Sequence, residues 1–264
     1  MTTFDVVADG FGLAEAPVWD GSTLLFSDAV FGGVKRIASD GRVEEVLAKR
    51  RGIGGMALHA DGGFLMTGRD VVWVREDGEQ VEVLGRHPGF AGYNDLGTLA
   101  DGTVIVGALR FNPMEGQSPE PGALVTLRPG DDHEETTELP IVTWPNGIAC
   151  APDGTTFYVA DFADGRIWRD AHEAWARSPS EQADGLCVDD EGGVWVALGG
   201  AGSVARFTAD GEVERVVEVP GADFVSSVCF GGPVLDDLYV TTRTSVVRVR
   251  GLGVSGLPVP PARI

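Results

Sequence analysis

Short apolar segments, separated by polar turns, recur along the chain at intervals of roughly 40 residues. Their short length and their content of Val, Ile, Tyr and Trp predict β-strands. Most of them follow an Asp-Gly or similar turn, and they lie at 24–28, 64–68, 104–108, 157–161, 194–198 and 238–242. One more short strand is predicted before each turn, at 15–19, 54–58, 94–98, 146–150, 184–188 and 226–230.

A third strand follows each of these hairpins, and a polar outer strand often follows that, as at 43–46 and 213–216. Six units of about 40 residues with four strands each predict an all-β fold, a six-bladed β-propeller around a central channel. We expect a single propeller domain over 1–264, with the strand at 4–7 pairing with the last blade to close the ring. The longer interval in the third blade is explained by a loop insertion at 110–122. Residues 170–177 are predicted to form at most one short helix, and a β-sandwich or barrel is the alternative that six aligned segments disfavour.

The first residue of each innermost strand is expected at the same depth in the channel, because successive blades are equivalent. These six positions hold Glu15, Gly54, Asn94, Asn146, Asp184 and Ser226. Four of them carry hard oxygen donors, which predicts one divalent cation, calcium first, with zinc, magnesium or manganese as alternatives. Each acid or amide alone is an ordinary turn or loop residue. Their shared position in the repeat is what indicates a metal site.

The charge balance excludes several classes of partner. The chain has 40 acidic and 20 basic residues, a net charge of −20, which argues against binding to nucleic acid or to an anionic membrane. No apolar run reaches the roughly 20 residues of a membrane span, and the N-terminal residues do not resemble a signal peptide. With three cysteines and no C-x-x-C motif, we expect reduced thiols in a cytoplasmic protein. The acidic surface favours a soluble monomer.

Several segments resemble one known family along most of the chain. They are EAPVW at 15–19, ND at 94–95, PNGIA at 145–149, ADGLCVD at 183–189, VWVA at 194–197 and SVCFGG at 227–232. This set resembles the SMP-30/gluconolactonase/luciferin-regenerating enzyme (LRE) family. The resemblance implies a six-bladed propeller with one divalent metal in its channel, bound directly by Glu15, Asn146 and Asp184. Asn94 is implied as a fourth ligand, direct or through water.

One position departs from the family pattern. In sugar-lactone members an arginine stands two residues before the counterpart of Asn94, and Gly92 occupies that place here. The loss of this cation, together with Tyr93, Leu109 and Phe111 nearby, suits a more apolar substrate. The predicted substrate-binding set is therefore Asn94, Tyr93, Leu109, Phe111 and Ser226.

The resemblance implies a metal-dependent hydrolase of ester bonds, a gluconolactonase-like lactonase acting on a small-molecule lactone or ester. Metal-activated water is expected to open the lactone ring, with Asp184 as general base. Direct attack by Asp184, giving a covalent intermediate, is the alternative within this chemistry. Phosphotriesterase-like or arylesterase activity at the same site is an alternative hypothesis. A non-catalytic propeller that binds a ligand or protein around a structural metal is a third, and strictosidine-synthase-like chemistry ranks last.

Overall fold

Twenty-four strands form six antiparallel sheets of four strands each in the computed structural model, which describes residues 1–130 and 134–264. Blade 1 contains β2 (Ala14–Trp19), β3 (Leu24–Asp28), β4 (Val34–Ile37) and β5 (Val43–Leu47). Blade 2 contains β6 (Met56–Leu58), β7 (Phe64–Met66), β8 (Val71–Val74) and β9 (Gln80–Leu84). Blade 3 contains β10 (Gly92–Thr98), β11 (Val104–Leu109), β12 (Ala123–Leu127) and β13 (Glu135–Glu138).

The second half of the chain repeats this meander. Blade 4 contains β14 (Pro145–Cys150), β15 (Phe157–Asp161), β16 (Arg166–Arg169) and β17 (Glu173–Arg177). Blade 5 contains β18 (Leu186–Val188), β19 (Val194–Ala197), β20 (Ser203–Phe207) and β21 (Val213–Glu218). Blade 6 contains β22 (Val225–Gly231), β23 (Asp237–Thr242), β24 (Ser245–Arg250) and, outermost, β1 (Thr3–Asp9). The predicted six-bladed, four-stranded propeller is confirmed.

The two ends of the chain close the ring within blade 6. β1 pairs antiparallel with β24, with Phe4 opposite Val249, so one sheet joins the first strand to the last three. The predicted pairing of the N-terminal strand with the last blade is therefore confirmed. Closure leaves each blade packed between two neighbours, and fully buried side chains such as Trp195 and Phe26 fill the spaces between the sheets.

The short helix predicted at 170–177 is wrong. This segment is β17, the outermost strand of blade 4, and it pairs with β16. Asp170 and Ala171 have φ angles of 49° and 59° and form a tight turn before it. The Trp175 ring centre lies 4.5 Å from that of Tyr158 and 6.1 Å from that of Phe207, so two aromatic contacts hold this outer strand in place. Within the described ranges, the helical structure is one 3-10 turn at Pro113–Glu115, inside the predicted insertion, and no helix is long and apolar enough to cross a membrane.

The two faces of the disk differ. We call the face where the innermost strands begin the site face; the connections between blades and the 110–122 insertion lie on it. The C-terminal residues 251–264 cross the opposite face, where Gly256 N–H donates to the Leu235 carbonyl and Ala262 N–H to the Leu58 carbonyl. Between the faces lies an axial cavity of about 600 Å³. Its walls are mainly apolar and include Cys150, Cys187 and Cys229, none of which forms a disulfide.

Candidate metal centre

A one-residue register shift interrupts the innermost strands at the start of four blades. In blade 1, Glu15 pairs with Ser27 but Val18 pairs with Leu25; the same shift occurs in blades 3, 4 and 6. Such a bulge breaks the alternation of side chains between the two faces of a strand. Ala16, beside Glu15, has a φ of 50°, a left-handed conformation that is uncommon for a residue other than glycine. The backbone at this level is therefore shaped to direct side chains toward the axis.

Four predicted ligands lie at this level of the channel. Asp184 is 3% exposed and Asn146 is 9% exposed, and the Asn146 side-chain amide is near enough to the Asp184 carboxylate to lower its pKa. The Asn94 amide nitrogen Nδ2 donates to the Pro145 carbonyl, at 3.1 Å. Glu15 is close enough to Asp184 for the two negative charges to raise the pKa of Glu15. Residues far apart in the sequence thus meet on one axis.

Burial and like charge both act on these carboxyl groups. Desolvation by burial raises the pKa of Glu15 well above its usual range, and repulsion from Asp184 and Asp95 adds to it. The pKa of Asp184 is likewise raised by burial and then by Asp95, while the nearby Asn146 amide and Gly185 N–H oppose the shift. Ionising all of these groups together is therefore unfavourable unless a positive charge lies among them.

Asp95 is a third carboxylate at the centre, which the sequence pattern did not include in the predicted site. Burial raises its pKa to about 7, against a hydrogen bond from the Leu96 N–H at 2.7 Å. Regular strand alternation places Asn94 and Asp95 on opposite faces. The bulge between Tyr93 and Leu96 removes that alternation, and the Asp95 side chain borders the axial cavity. The only signal in the sequence is a second acid directly after an aligned donor.

Blade 2 has glycines, Gly54 and Gly55, where other blades carry an oxygen donor, and these glycines leave room for side chains of blade 3. A Cβ atom on Gly54 would lie 2.8 Å from Asn94 Oδ1, and one on Gly55 would lie 2.5 Å from Asp95 Oδ1. Real Cβ atoms do not approach that closely, so the side chains from blade 3 occupy the volume above these glycines. Blades 4 and 5 repeat the device: a Cβ on Gly147 would lie 2.5 Å from the Leu186 nitrogen.

The remaining predicted substrate contacts are four buried side chains. Ser226 is fully buried, and its hydroxyl donates to the Ala14 carbonyl at 2.6 Å. The side chain of Tyr93 is 3% exposed and its hydroxyl donates to the Gly85 carbonyl at 3.0 Å. Leu109 and Phe111 are 6% and 1% exposed. These four side chains are buried in the packing between and within blades, and their role in substrate binding stays a prediction.

The donor chemistry fits a hard divalent cation. Carboxylate and amide oxygens are the ligands that calcium and magnesium prefer. Among residues 1–130 and 134–264, no lysine, arginine or histidine forms an ion pair with Glu15, Asp95 or Asp184. In the same ranges, no three His, Cys, Asp or Glu side chains are arranged to hold a metal by themselves. Glu15, Asp95 and Asp184 do not form such a cluster by themselves, so the predicted centre also needs the amide oxygens of Asn94 and Asn146.

A closed ring of six blades with buried oxygen donors on its axis defines the class, a six-bladed β-propeller with a candidate cation centre. The profile of the SMP-30/gluconolactonase/LRE-like region matches residues 13–244. The chain belongs to this family, which confirms the resemblance inferred from the sequence segments.

Two curated relatives and one solved structure illustrate the similarity. Regucalcin from Xenopus laevis is 26% identical over 289 residues, which cover 96% of this chain and 95% of the relative. The pentonolactonase XacC from Haloferax volcanii is 29% identical over 257 residues, which cover 92% of this chain and 85% of the relative. A luciferin-regenerating enzyme superposes with a TM-score of 0.86 at 21% identity over 100% of both chains, a likeness of fold.

Proposed function

We propose that this protein is a lactonase that works with one divalent cation held by Glu15, Asn146 and Asp184, with Asn94 as a fourth contact. The observation that carries the proposal is the cluster of buried carboxyl groups on the axis: desolvation raises the pKa of all three, and repulsion raises those of Glu15 and Asp184 further. Membership of a family whose description includes gluconolactonase, and similarity to a pentonolactonase, support the choice of a lactone as substrate. Calcium is our first choice of cation because the donors are all hard oxygens.

A divalent cation, when bound, would withdraw electron density from the lactone carbonyl and stabilise the negative charge that develops on its oxygen. The protein's own residues supply the remaining functions. Asp184 accepts the proton from the attacking water, and next to a dication its carboxylate stays ionised at pH 7. The Asn146 amide lies beside this carboxylate and favours its ionised form, the form that a base needs.

The proton and bond balance of the reaction is simple. Water loses one proton to Asp184 as its oxygen forms a bond to the carbonyl carbon. The ring C–O bond then breaks, and the proton passes from Asp184 to the departing ring oxygen, which becomes a hydroxyl group. The product is an open-chain hydroxy acid. Low exposure of Asp184, 3%, keeps competing water away from the proton that is being transferred.

The test is a panel of five- and six-membered lactones assayed with excess calcium and with excess chelator. We expect hydrolysis above the spontaneous rate only with calcium, and a loss of at least about 100-fold in kcat for Asp184→Asn. Asp210→Asn is the matched control, since Asp210 is exposed on a turn between β20 and β21. An absence of hydrolysis with and without calcium, combined with lost stability on chelation, would contradict the proposal and assign the cation a structural role.

A further inference from the structure

The unpaired basic residues of this acidic protein are concentrated beside the candidate centre. Of the 20 lysines and arginines, six form no ion pair within 4 Å with any residue of the described ranges: Lys49, Arg51, Arg69, Arg86, Arg177 and Arg263. The first four all lie in loops of blade 2 on the site face: Lys49 and Arg51 before β6, Arg69 in the turn between β7 and β8, and Arg86 after β9. A net charge of −20 repels anions at long range, so such a local cluster changes which ligands can approach.

Two of these arginines line a cleft on the site face. The cleft has a volume of about 310 Å³ and is lined by Arg69, Arg86, Phe90, Ala91, Asn112, Glu115 and Gln117. Glu115 is its one acidic residue; it accepts a hydrogen bond from Gln117 Nε2 at 3.3 Å and forms no ion pair with either arginine. The lining therefore carries two positive charges against one negative charge. Gln117 and Asn112 add neutral polar groups, and Phe90 provides an apolar wall.

One stretch of backbone connects the cleft with the candidate centre. Ala91 lines the cleft, and Asn94 follows three residues later, about 10 Å away at the rise of an extended strand. The Ala91 N–H donates to the Leu109 carbonyl at 2.7 Å, and the Tyr93 N–H donates to the Gly68 carbonyl at 2.6 Å. These bonds hold the segment extended, so the cleft stands about 10 Å along this strand from Asn94.

Gly92 lies in the sequence between the cleft residue Ala91 and the proposed ligand Asn94, where the backbone of the β7–β8 turn packs closely against it. A Cβ atom at this position would lie 2.9 Å from the Gly68 carbonyl oxygen, so any larger residue forces the neighbouring backbone to move. The arginine that sugar-lactone relatives were expected to carry here is therefore sterically excluded. The Arg69 Cα would lie 3.8 Å from the same Cβ, so another loop brings an arginine close to this position.

We propose that Arg69 and Arg86 bind an oxyanion group, a carboxylate, sulfonate or phosphate, on the lactone substrate whose ring is opened at the axial centre. This inference rests on the proposed lactonase function. Arginine presents paired N–H donors that match two oxygens of such a group. Because neither guanidinium has an acidic partner in the described ranges, binding the oxyanion breaks no ion pair inside the protein.

The test compares lactones that differ only in charge. With calcium present, hydrolysis of 6-phosphoglucono- and 6-deoxy-6-sulfoglucono-1,5-lactone is compared with that of neutral glucono-1,5-lactone, and glucaro-1,4-lactone with neutral glucono-1,4-lactone. We expect kcat/KM to be about tenfold or more higher for at least one anionic lactone than for its neutral partner at low salt. The Arg69→Gln/Arg86→Gln variant should lose that preference through a higher KM and keep its activity on the neutral lactone. Arg177→Gln, another unpaired arginine on blade 4, is the control and should keep the preference.

A binding measurement separates failure of this inference from failure of the lactonase proposal. Calorimetric titration of the calcium-loaded protein with 6-phosphogluconate and with gluconate needs no turnover. Tighter binding of 6-phosphogluconate that is lost in the double variant supports the oxyanion site even if no lactone is hydrolysed. Hydrolysis of neutral lactones without any preference for anionic ones, or an equal loss in Arg177→Gln, overturns the oxyanion site and leaves the lactonase proposal standing.

Discussion

Asn94 donates a hydrogen bond from its side-chain nitrogen to the carbonyl oxygen of Pro145, at 3.1 Å, and so joins the innermost strands of blades 3 and 4. With Nδ2 engaged in this way, Oδ1 is left as the acceptor of the same amide. Pro145 directly precedes Asn146, a second proposed ligand. One hydrogen bond therefore fixes the spacing of two strands and the orientation of an amide at the candidate centre.

Replacing Asn94 by Asp tests this relationship. The variant loses the donor to Pro145 and adds another negative charge to an already repulsive cluster. We expect the free energy of unfolding of the metal-free protein to fall by about 1–3 kcal/mol at pH 8, measured by urea denaturation with chelator. Excess calcium should restore more stability to the variant than to the natural protein, because more ligand charge strengthens calcium binding. Equal stability of the two proteins in chelator would show that the bond is not formed.

The raised carboxyl pKa values predict an unusual pH dependence for the metal-free protein. Asp95 keeps its proton in the folded state up to a pKa of about 7, whereas in an unfolded chain an aspartate ionises near a pKa of about 3.9. Between these values the folded state binds more protons, so stability falls as pH rises, by at most about 1.4 kcal/mol per pH unit for this group. The raised pKa values of Glu15 and Asp184 act in the same direction.

The measurement is the unfolding free energy in chelator at pH 5, 6, 7 and 8 for the natural protein and for Asp95→Asn. The difference in slope isolates Asp95 from the many surface carboxyl groups. We expect the natural protein to lose stability relative to the variant as pH rises from 5 to 7, and excess calcium to abolish that loss. Parallel curves in chelator would contradict a buried, protonated Asp95.

Gly55 is predicted to be required by the packing of the centre. In Gly55→Ala the new Cβ would meet Asp95 Oδ1 at 2.5 Å and the Leu96 backbone nitrogen at 2.6 Å. Backbone cannot yield as a flexible side chain does, so we expect about 1–3 kcal/mol of destabilisation and weaker calcium binding. Gly200→Ala is the matched control, because its nearest neighbour is a Gln182 oxygen at 3.5 Å. The measurement is thermal unfolding of both variants. A similar loss of stability in Gly55→Ala and Gly200→Ala would argue against close packing at Gly55.

Arg206 anchors the outer part of blade 5 through buried charge. Its guanidinium lies 2.7 Å from Asp189, which is fully buried, and 2.6 Å from Glu214. Arg206→Met leaves the Asp189 carboxylate without its cation, so we expect a loss of about 3–5 kcal/mol in urea denaturation. The exposed pair of Arg128 and Glu135 provides the control, and Arg128→Gln should cost less than about 1 kcal/mol. If Arg206→Met and Arg128→Gln lost similar amounts of unfolding free energy, the ion pairs of Arg206 would be as solvated as the surface pair.

The repeat could be predicted from the sequence because each blade carries its own short strands and turns. The bulges could not, since one inserted residue depends on how neighbouring innermost strands meet around the axis. Asp95 was missed for this reason, and β6 and β18 begin at Met56 and Leu186, two residues after the predicted starts. The strand at Glu173–Arg177 was mistaken for a helix because its one apolar anchor, Trp175, contacts residues distant in sequence.

The cleft on the site face also lay beyond the sequence. Arg69 and Arg86 lie on two separate loops, and nothing in their local pattern distinguishes them from other surface arginines. Their shared surroundings follow from blade 2 packing against the insertion of blade 3. Residues in loops do not occupy equivalent positions in the repeat. Their proximity in the fold therefore cannot be predicted by aligning the blades.

Calorimetric titration of the chelator-treated protein with calcium tests the proposed cation centre most directly. We expect one ion per chain, with binding lost or weakened at least about 100-fold in Asp184→Asn and in Glu15→Gln, and unchanged in Asp210→Asn. Binding of calcium that is equally tight in all four proteins, or no binding to the natural protein by calcium, magnesium, manganese or zinc, would contradict a cation centre formed by Glu15, Asn146 and Asp184.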